Sequence, residues 1–197
     1  MKQLLAIPAV YTRFNSAIAG RFRDIYVQRY VRPQPQDRIL DVGCGTGDIL
    51  KYLPPVSYLG IDLDKRYIDA ARKRFGSLGE FRCESATETV LREHESFDIV
   101  MANGVLHHLN DDEVLAVLRL ARSALKPSGH LTTHDPAFVP GQSRIARLLL
   151  NLDRGRFVRA QDRYVELARK VFTDIDAEVC HDLLRLPYTH LFMTCRP

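Results

Sequence analysis

Residues 38–49, Arg-Ile-Leu-Asp-Val-Gly-Cys-Gly-Thr-Gly-Asp-Ile, restrict the fold of this chain more than any other stretch. Ile39, Leu40 and Val42 form a short apolar run suited to a buried parallel strand. Gly43-Cys44-Gly45-Thr46-Gly47 follows, and its glycines permit tight turning and close approach of backbone to a ligand. A helical pattern then starts, with Ile49, Leu50 and Leu53 on one side and Pro54-Pro55 as its stop. Strand, glycine loop and helix together offer backbone N–H groups and a positive helix end to an anionic group.

The loop discriminates between ligands. Dinucleotide loops read G-x-G-x-x-G, the third glycine letting helix and strand pack beside a pyrophosphate. Gly43 and Gly45 fill the first two places, but Asp48 holds the third, and a carboxylate there disfavours a nicotinamide dinucleotide and an oxidoreductase. The order Asp41, Gly43, Gly45, Gly47 instead resembles motif I, D-x-G-x-G-x-G, of the class I S-adenosylmethionine-dependent methyltransferases of small molecules. The resemblance implies S-adenosylmethionine as cofactor, with Asp41, Gly43, Cys44 and Gly45 against it. That ligand carries an ammonium rather than a phosphate, which suits an acidic Asp41. It also implies an α/β three-layer Rossmann-like sandwich. Its sheet would be seven-stranded and mostly parallel, with an antiparallel C-terminal hairpin.

The chain continues the pattern. Residues 57–64 read as a second strand ending in acid, and Asp62 lies about 20 residues beyond the loop's start, where a carboxylate meets a ribose diol. Leu63 stands beside it. Asp64 reads as the N-cap of a helix over Lys65–Phe75. Residues 79–86 read as a third strand and turn. Many members of the resembled family carry Asp-Ala there, facing the adenine amine, where this chain has Ser85-Ala86, with Glu84 as a substitute acceptor. Residues 96–103 form a fourth strand, and the run Phe-Asp-Ile-Val-Met-Ala-Asn-Gly-Val-Leu-His-His-Leu resembles the same region of the family. The resemblance sets Asn103-Gly104 against the methionine end of the cofactor and His107-His108 toward the substrate, with loop anchoring as the structural alternative for these histidines. Asn110-Asp111-Asp112-Glu113 opens a helix with the stripe Val114, Leu118, Ala121 and Leu125, loaded at its end by Arg122 and Lys126. Residues 130–136 make a fifth strand, and the neighbours His134 and Asp135 are candidates to orient or deprotonate a hydroxyl. The catalytic candidates are therefore His107, His134 and Asp135.

Residues 137–172 read as a helical insertion on the substrate side. Gly141-Gln142-Ser143 caps a helix with Ile145, Leu148, Leu149 and Leu152 on its apolar side, and a second helix follows over residues 162–172. Arg144, Arg147, Arg154, Arg156, Arg159 and Arg163 outnumber the nearby acids. They read as a solvated face, with an anionic substrate or a membrane surface as the sharper alternative. Residues 1–33 read as one or two helices packed on the sheet edge or lying over the site as a lid. Residues 176–184 and 188–195 close the chain as an antiparallel pair. The 197 residues make one domain, 1–197, in this reading.

Composition excludes several classes. No apolar run approaches a membrane span, and the start of the chain lacks a convincing cleavage site, so a cytoplasmic protein is expected. Cys44, Cys83, Cys180 and Cys195 lie far apart, which is neither a zinc pattern nor a disulfide framework, and no metal is expected. A net charge of +4 is too small to name nucleic acid as a partner. The expected activity is methyl transfer from S-adenosylmethionine to a small-molecule acceptor, O- or C-methylation favoured. The rivals are a catalytically inactive S-adenosylmethionine-binding regulator and an RNA methyltransferase, the latter motivated by the arginine-rich stretch.

Overall fold

Short apolar segments separated by amphipathic helices give a parallel sheet covered on both faces. The computed structural model describes residues 22–85, 96–153, 155–181, 183 and 187–197. β1 (Arg38–Val42), β2 (Ser57–Asp62), β3 (Glu80–Cys83), β4 (Phe97–Asn103) and β5 (Leu125–Phe138) run parallel. A two-residue strand, β6 (Arg159–Ala160), pairs with the end of β5. β7 (Asp174–Cys180) and β8 (His190–Arg196) are antiparallel, and β8 lies antiparallel against β5. The order across the sheet is β3-β2-β1-β4-β5-β8-β7, the expected seven-stranded path with its C-terminal hairpin.

Side chains alternate along each strand, so two cores form. Leu40, Val42, Val100, Ala102 and Leu131 face α3 (Asp111–Ala124) and α5 (Gln161–Arg169). Ile39, Tyr58, Ile99, Met101 and Phe192 face the other layer. That layer holds α1 (Phe22–Tyr26), which runs into a π-helical turn at Val27–Val31, and α2 (Lys65–Phe75). Local caps fix the helix starts. Asp64 accepts from the Arg66 N–H, Asn110 and Glu113 form a reciprocal capping box, and Ser143 accepts from the Ala146 N–H to open α4 (Arg144–Asn151). No helix among the described residues is long and apolar enough to cross a membrane.

Four local expectations are corrected. The helix after the glycine loop is a single 3-10 turn, Asp48–Lys51, because Pro54 leaves too few residues to propagate a longer one. A one-turn element of this kind presents little helix dipole. α3 stops at Ala124, and Lys126 does not load its end but bonds both Asp98 oxygens at 2.8 Å. There β5 comes so close to β4 that a side chain on Gly129 would meet the Asp98 carbonyl at 2.7 Å. Of the apolar side read for α4, Ile145, Leu148 and Leu152 face outward and Leu149 is half-buried, while Ala146 and Leu150 seat the helix. The second helix begins at Gln161 and buries Tyr164, Leu167 and Ala168 against the sheet beside α3. Of residues 1–33, positions 1–21 lie outside the described residues, as does the link over 184–186.

Candidate active site

Strand register gathers the glycine loop and the acids at one edge. Val42 lies opposite both Ile61 and Ala102, Asp62 opposite Cys83, and Asn103 opposite His134, so the carboxyl ends of β1 to β5 meet. The loop turns through left-handed backbone at Gly43 (φ +71°), Gly45 (φ +54°) and Gly47 (φ +70°). A side chain on Gly45 would meet nothing within 4 Å, so this backbone borders open space. A side chain on Gly47 would strike the Phe81 ring at 2.9 Å. Close packing of loop on sheet therefore falls at Gly47.

Asp48 turns away from the loop. It meets Arg74 at 2.6 Å, Lys51 at 3.0 Å and the Thr46 hydroxyl at 2.7 Å. Burial raises its carboxyl, but Arg74, Thr46 and Lys51 outweigh it and hold the group below the usual carboxylate range. Two cations thus answer the repulsion expected of Asp48. Asp62 accepts from the Gly45 N–H at 2.9 Å and the Asp64 N–H at 2.8 Å, which ties the loop to β2. Burial raises its pKa. Cys44 places its sulfur where a side chain on Gly60 would be. Leu63 is 75% exposed at the lip, and Ser85 is half-buried beyond β3. Ala86 lies outside the described residues.

Strand alternation puts Asp41, Asn103 and His134 in a row on the face beneath α1. Asp41 accepts from the Tyr58 hydroxyl at 2.6 Å through Oδ2. Its Oδ1 is buried without a partner, and so is Asn103 Oδ1. Burial pushes the Asp41 carboxyl up to about 7, with Asp62 adding to the rise. Two buried acceptors lacking donors suit a group rich in donors and positive in charge. Gly104, at φ +66°, donates its N–H to the His134 carbonyl at 2.7 Å and holds the loop after β4 against β5.

His134 and Asp135 do not form a pair. As neighbours on a strand they project to opposite faces. His134 Nε2 faces His190 Nδ1 at 2.7 Å, and the Phe22 ring lies 4.7 Å above. Burial, reinforced by His190, keeps His134 well below the ordinary histidine value, and burial lowers His190 to about 4. Asp135, on the other face, accepts from the His107 N–H at 3.1 Å and meets His107 Nδ1 at 2.8 Å. His107 Nε2 lies 3.5 Å from Asp153, which accepts from the Tyr188 hydroxyl at 2.6 Å. His107 Nδ1 is thus engaged by Asp135, while Nε2 stands near Asp153.

Known proteins match this arrangement. A family described as methyltransferase domain matches residues 40–131, which run from β1 through the loop and Asp62 to β5. Residues 40–131 are thus similar to a methyltransferase domain. An indolepyruvate C-methyltransferase of Streptomyces griseus is 33% identical over 139 residues, 65% of this chain and 41% of the relative. A malonyl-[acyl-carrier protein] O-methyltransferase of Halalkalibacterium halodurans is 32% identical over 112 residues, covering 53% and 40%. The chain spans less than half the length of these curated relatives. A TehB-like SAM-dependent methyltransferase from Corynebacterium glutamicum shares the fold at a TM-score of 0.68, with 19% identity and 96% of both chains covered. The pyocyanin biosynthetic protein PhzM does so at 0.72, with 15% identity and 92% and 55% covered.

In this fold one edge collects Asp41, Gly43, Cys44, Gly45, Asp62, Leu63, Asn103, Gly104 and His134. His107 and Asp135 sit behind it on the opposite face. Sequence reasoning missed Tyr58, His190, Asp153 and Tyr188. His190 was accessible in principle, because an antiparallel β8 on β5 brings position 190 opposite Pro136. Asp153 carries no local signal. The glycine loop itself is testable. Gly47→Ala forces a left-handed alanine into the Phe81 ring and is expected to destabilise the fold by about 2–3 kcal/mol, read as a lower urea midpoint at unchanged slope.

Proposed function

We propose that this domain transfers the methyl group of S-adenosylmethionine to a small-molecule acceptor, with O- or C-methylation favoured. The observation that carries the reading is the pair of buried acceptors without donors, Asp41 Oδ1 and Asn103 Oδ1, beside the open backbone at Gly45. Asp41 and Asn103 would hold the ammonium end of the cofactor, Asp62 its ribose diol, and Leu63 and Ser85 its adenosine end. S-adenosylmethionine supplies, when bound, a methyl group already made electrophilic by its sulfonium.

The chain's own contribution is alignment, exclusion of water and proton handling. His134 stays neutral under its burial. With its Nε2–H donated to His190, it presents a lone pair at Nδ1 to accept a proton from an acceptor hydroxyl or carbon acid. The Phe22 and Tyr26 rings lie tilted against His134, their centroids 4.7 and 6.3 Å away, and shield that face from water. Asp135 and His107 act as positioning residues for the loop after β4. A relative named for methylating indolepyruvate supports a small-molecule acceptor.

The test is titration with S-adenosylhomocysteine of the wild type beside Asp62→Ala. Loss of a charged hydrogen-bond partner is expected to weaken binding by about 1.5–3 kcal/mol, roughly 10- to 150-fold. Equal affinity of the two proteins would remove Asp62 from the site.

A further inference from the structure

α4 carries its apolar residues on the wrong side for a helix that serves only the core. Ala146 and Leu150 seat it, while Ile145 (62% exposed), Leu148 (58%) and Leu152 (69%) project from the opposite flank. These three fall within about 60° of arc on a helix of 100° per residue. Phe157, 40% exposed, lies just beyond the helix. Leaving this much aliphatic surface in water is unfavourable unless something covers it.

The charges beside the row say what covers it. Arg144 borders it on the helix, Arg147 lies about 100° further round with its guanidinium over the Phe138 ring at 5.7 Å, and Arg156 is exposed next to Phe157. None of the three makes an ion pair among the described residues, whereas Arg159 and Arg163 are held by Asp111. Residues 1–21 could supply aliphatic groups, but they carry Lys2, Arg13 and Arg21 and no carboxylate. They therefore add to the positive field and cannot neutralise it. The complement to a protruding aliphatic row with unpaired arginines at its side is an anionic, deformable apolar phase.

We propose that α4 docks the protein on an anionic lipid surface. Ile145, Leu148 and Leu152 enter the boundary between headgroups and acyl chains, and Arg144 and Arg147 reach the headgroup phosphates and carboxylates. α4 follows directly on the carboxyl end of β5, so docking sets the candidate active-site edge against the lipid. Surface binding itself does not depend on the methyl-transfer reading.

Co-sedimentation tests it. The full chain is mixed with vesicles of phosphatidylcholine alone, or of phosphatidylcholine and phosphatidylserine in equal parts. Binding to the mixed vesicles and not to the neutral ones is expected, weakening as salt rises. The triple variant Ile145→Ser/Leu148→Ser/Leu152→Ser is expected to lose at least about tenfold in vesicle affinity. Its melting temperature should be retained, because the three side chains are outside the core. Arg144→Glu/Arg147→Glu is the second variant, and even simple loss of its arginines weakens binding about fivefold each. Failure of the wild type to bind mixed vesicles overturns the proposal, whether residues 1–21 or an acidic protein covers the face instead. Equal binding to neutral vesicles, or undiminished binding by both variants, overturns it as well.

Discussion

Asp41→Asn is expected to stabilise the protein and to weaken its ligand site at the same time. The Asp41 carboxyl is buried, shares one hydrogen bond with Tyr58 and leaves Oδ1 without a partner. Its pKa, raised to about 7, means that the folded state holds a proton which the unfolded chain has already released above about pH 4. Stability from this group is present at low pH and is lost as pH rises toward 7. By pH 8 the buried charge costs up to about 4 kcal/mol, and an asparagine that leaves an amide N–H unpaired recovers about 2 kcal/mol of it. The variant should therefore melt about 5 °C above the wild type at pH 8, with the gap closing toward pH 4.

The ligand sees the opposite sign. Only the ionised carboxylate attracts an ammonium, so wild-type affinity for S-adenosylhomocysteine should fall by about tenfold per pH unit below about 7. The Asn variant should bind about 10- to 100-fold more weakly at pH 8 and show no such slope. Melting measured across pH by calorimetry, with titrations at each pH, checks both halves. A variant less stable than wild type at pH 8, or one keeping the affinity slope, contradicts the role given to Asp41.

Arg159→Lys should be the most damaging conservative change on the surface-rich stretch 144–163. The guanidinium is buried and donates to Asp111, to the carbonyls of Leu106 and Leu109, and to that of Phe157. It therefore stitches the loop after β4 to the approach of α5, where a planar fork is required and an ammonium reaches fewer partners. Leaving buried carbonyls without donors is expected to cost about 3–4 kcal/mol and about 10 °C in melting temperature. Arg163→Ala is the contrast, because that side chain forms solvent-screened pairs with Asp111 and Glu166 that contribute little. Equal melting temperatures for the two variants would show that Arg159 is not the tie that its bonds suggest.

These cases show where a sequence is legible. Caps such as Asp64 and Ser143 act over two or three residues, so their meaning is local and legible, and the acids after Asn110 mark a helix start in the same way. The strands were legible because burial on both faces demands continuous apolar runs, and the glycine loop because its backbone needs positive φ. The face of α4 was not legible. Ile145, Leu148 and Leu152 have the spacing of a core stripe, and spacing is blind to what lies on either side of a helix. The fate of the arginines was equally hidden, since Arg159 and Arg156 differ only in what the fold brings near them. The histidine contacts join positions 28 and 56 residues apart, so they depend on strand order and not on any motif. His134 and Asp135 looked like a working pair side by side, and the alternation of a strand separated them.

Titration of the wild-type protein with S-adenosylhomocysteine, and separately with NADH, tests the central claim most directly. Both ligands offer an adenosine to Asp62, but only the first offers an ammonium to Asp41 and Asn103. Saturable binding of S-adenosylhomocysteine with none of NADH is the predicted result. Binding of NADH without S-adenosylhomocysteine would contradict the site as assigned here.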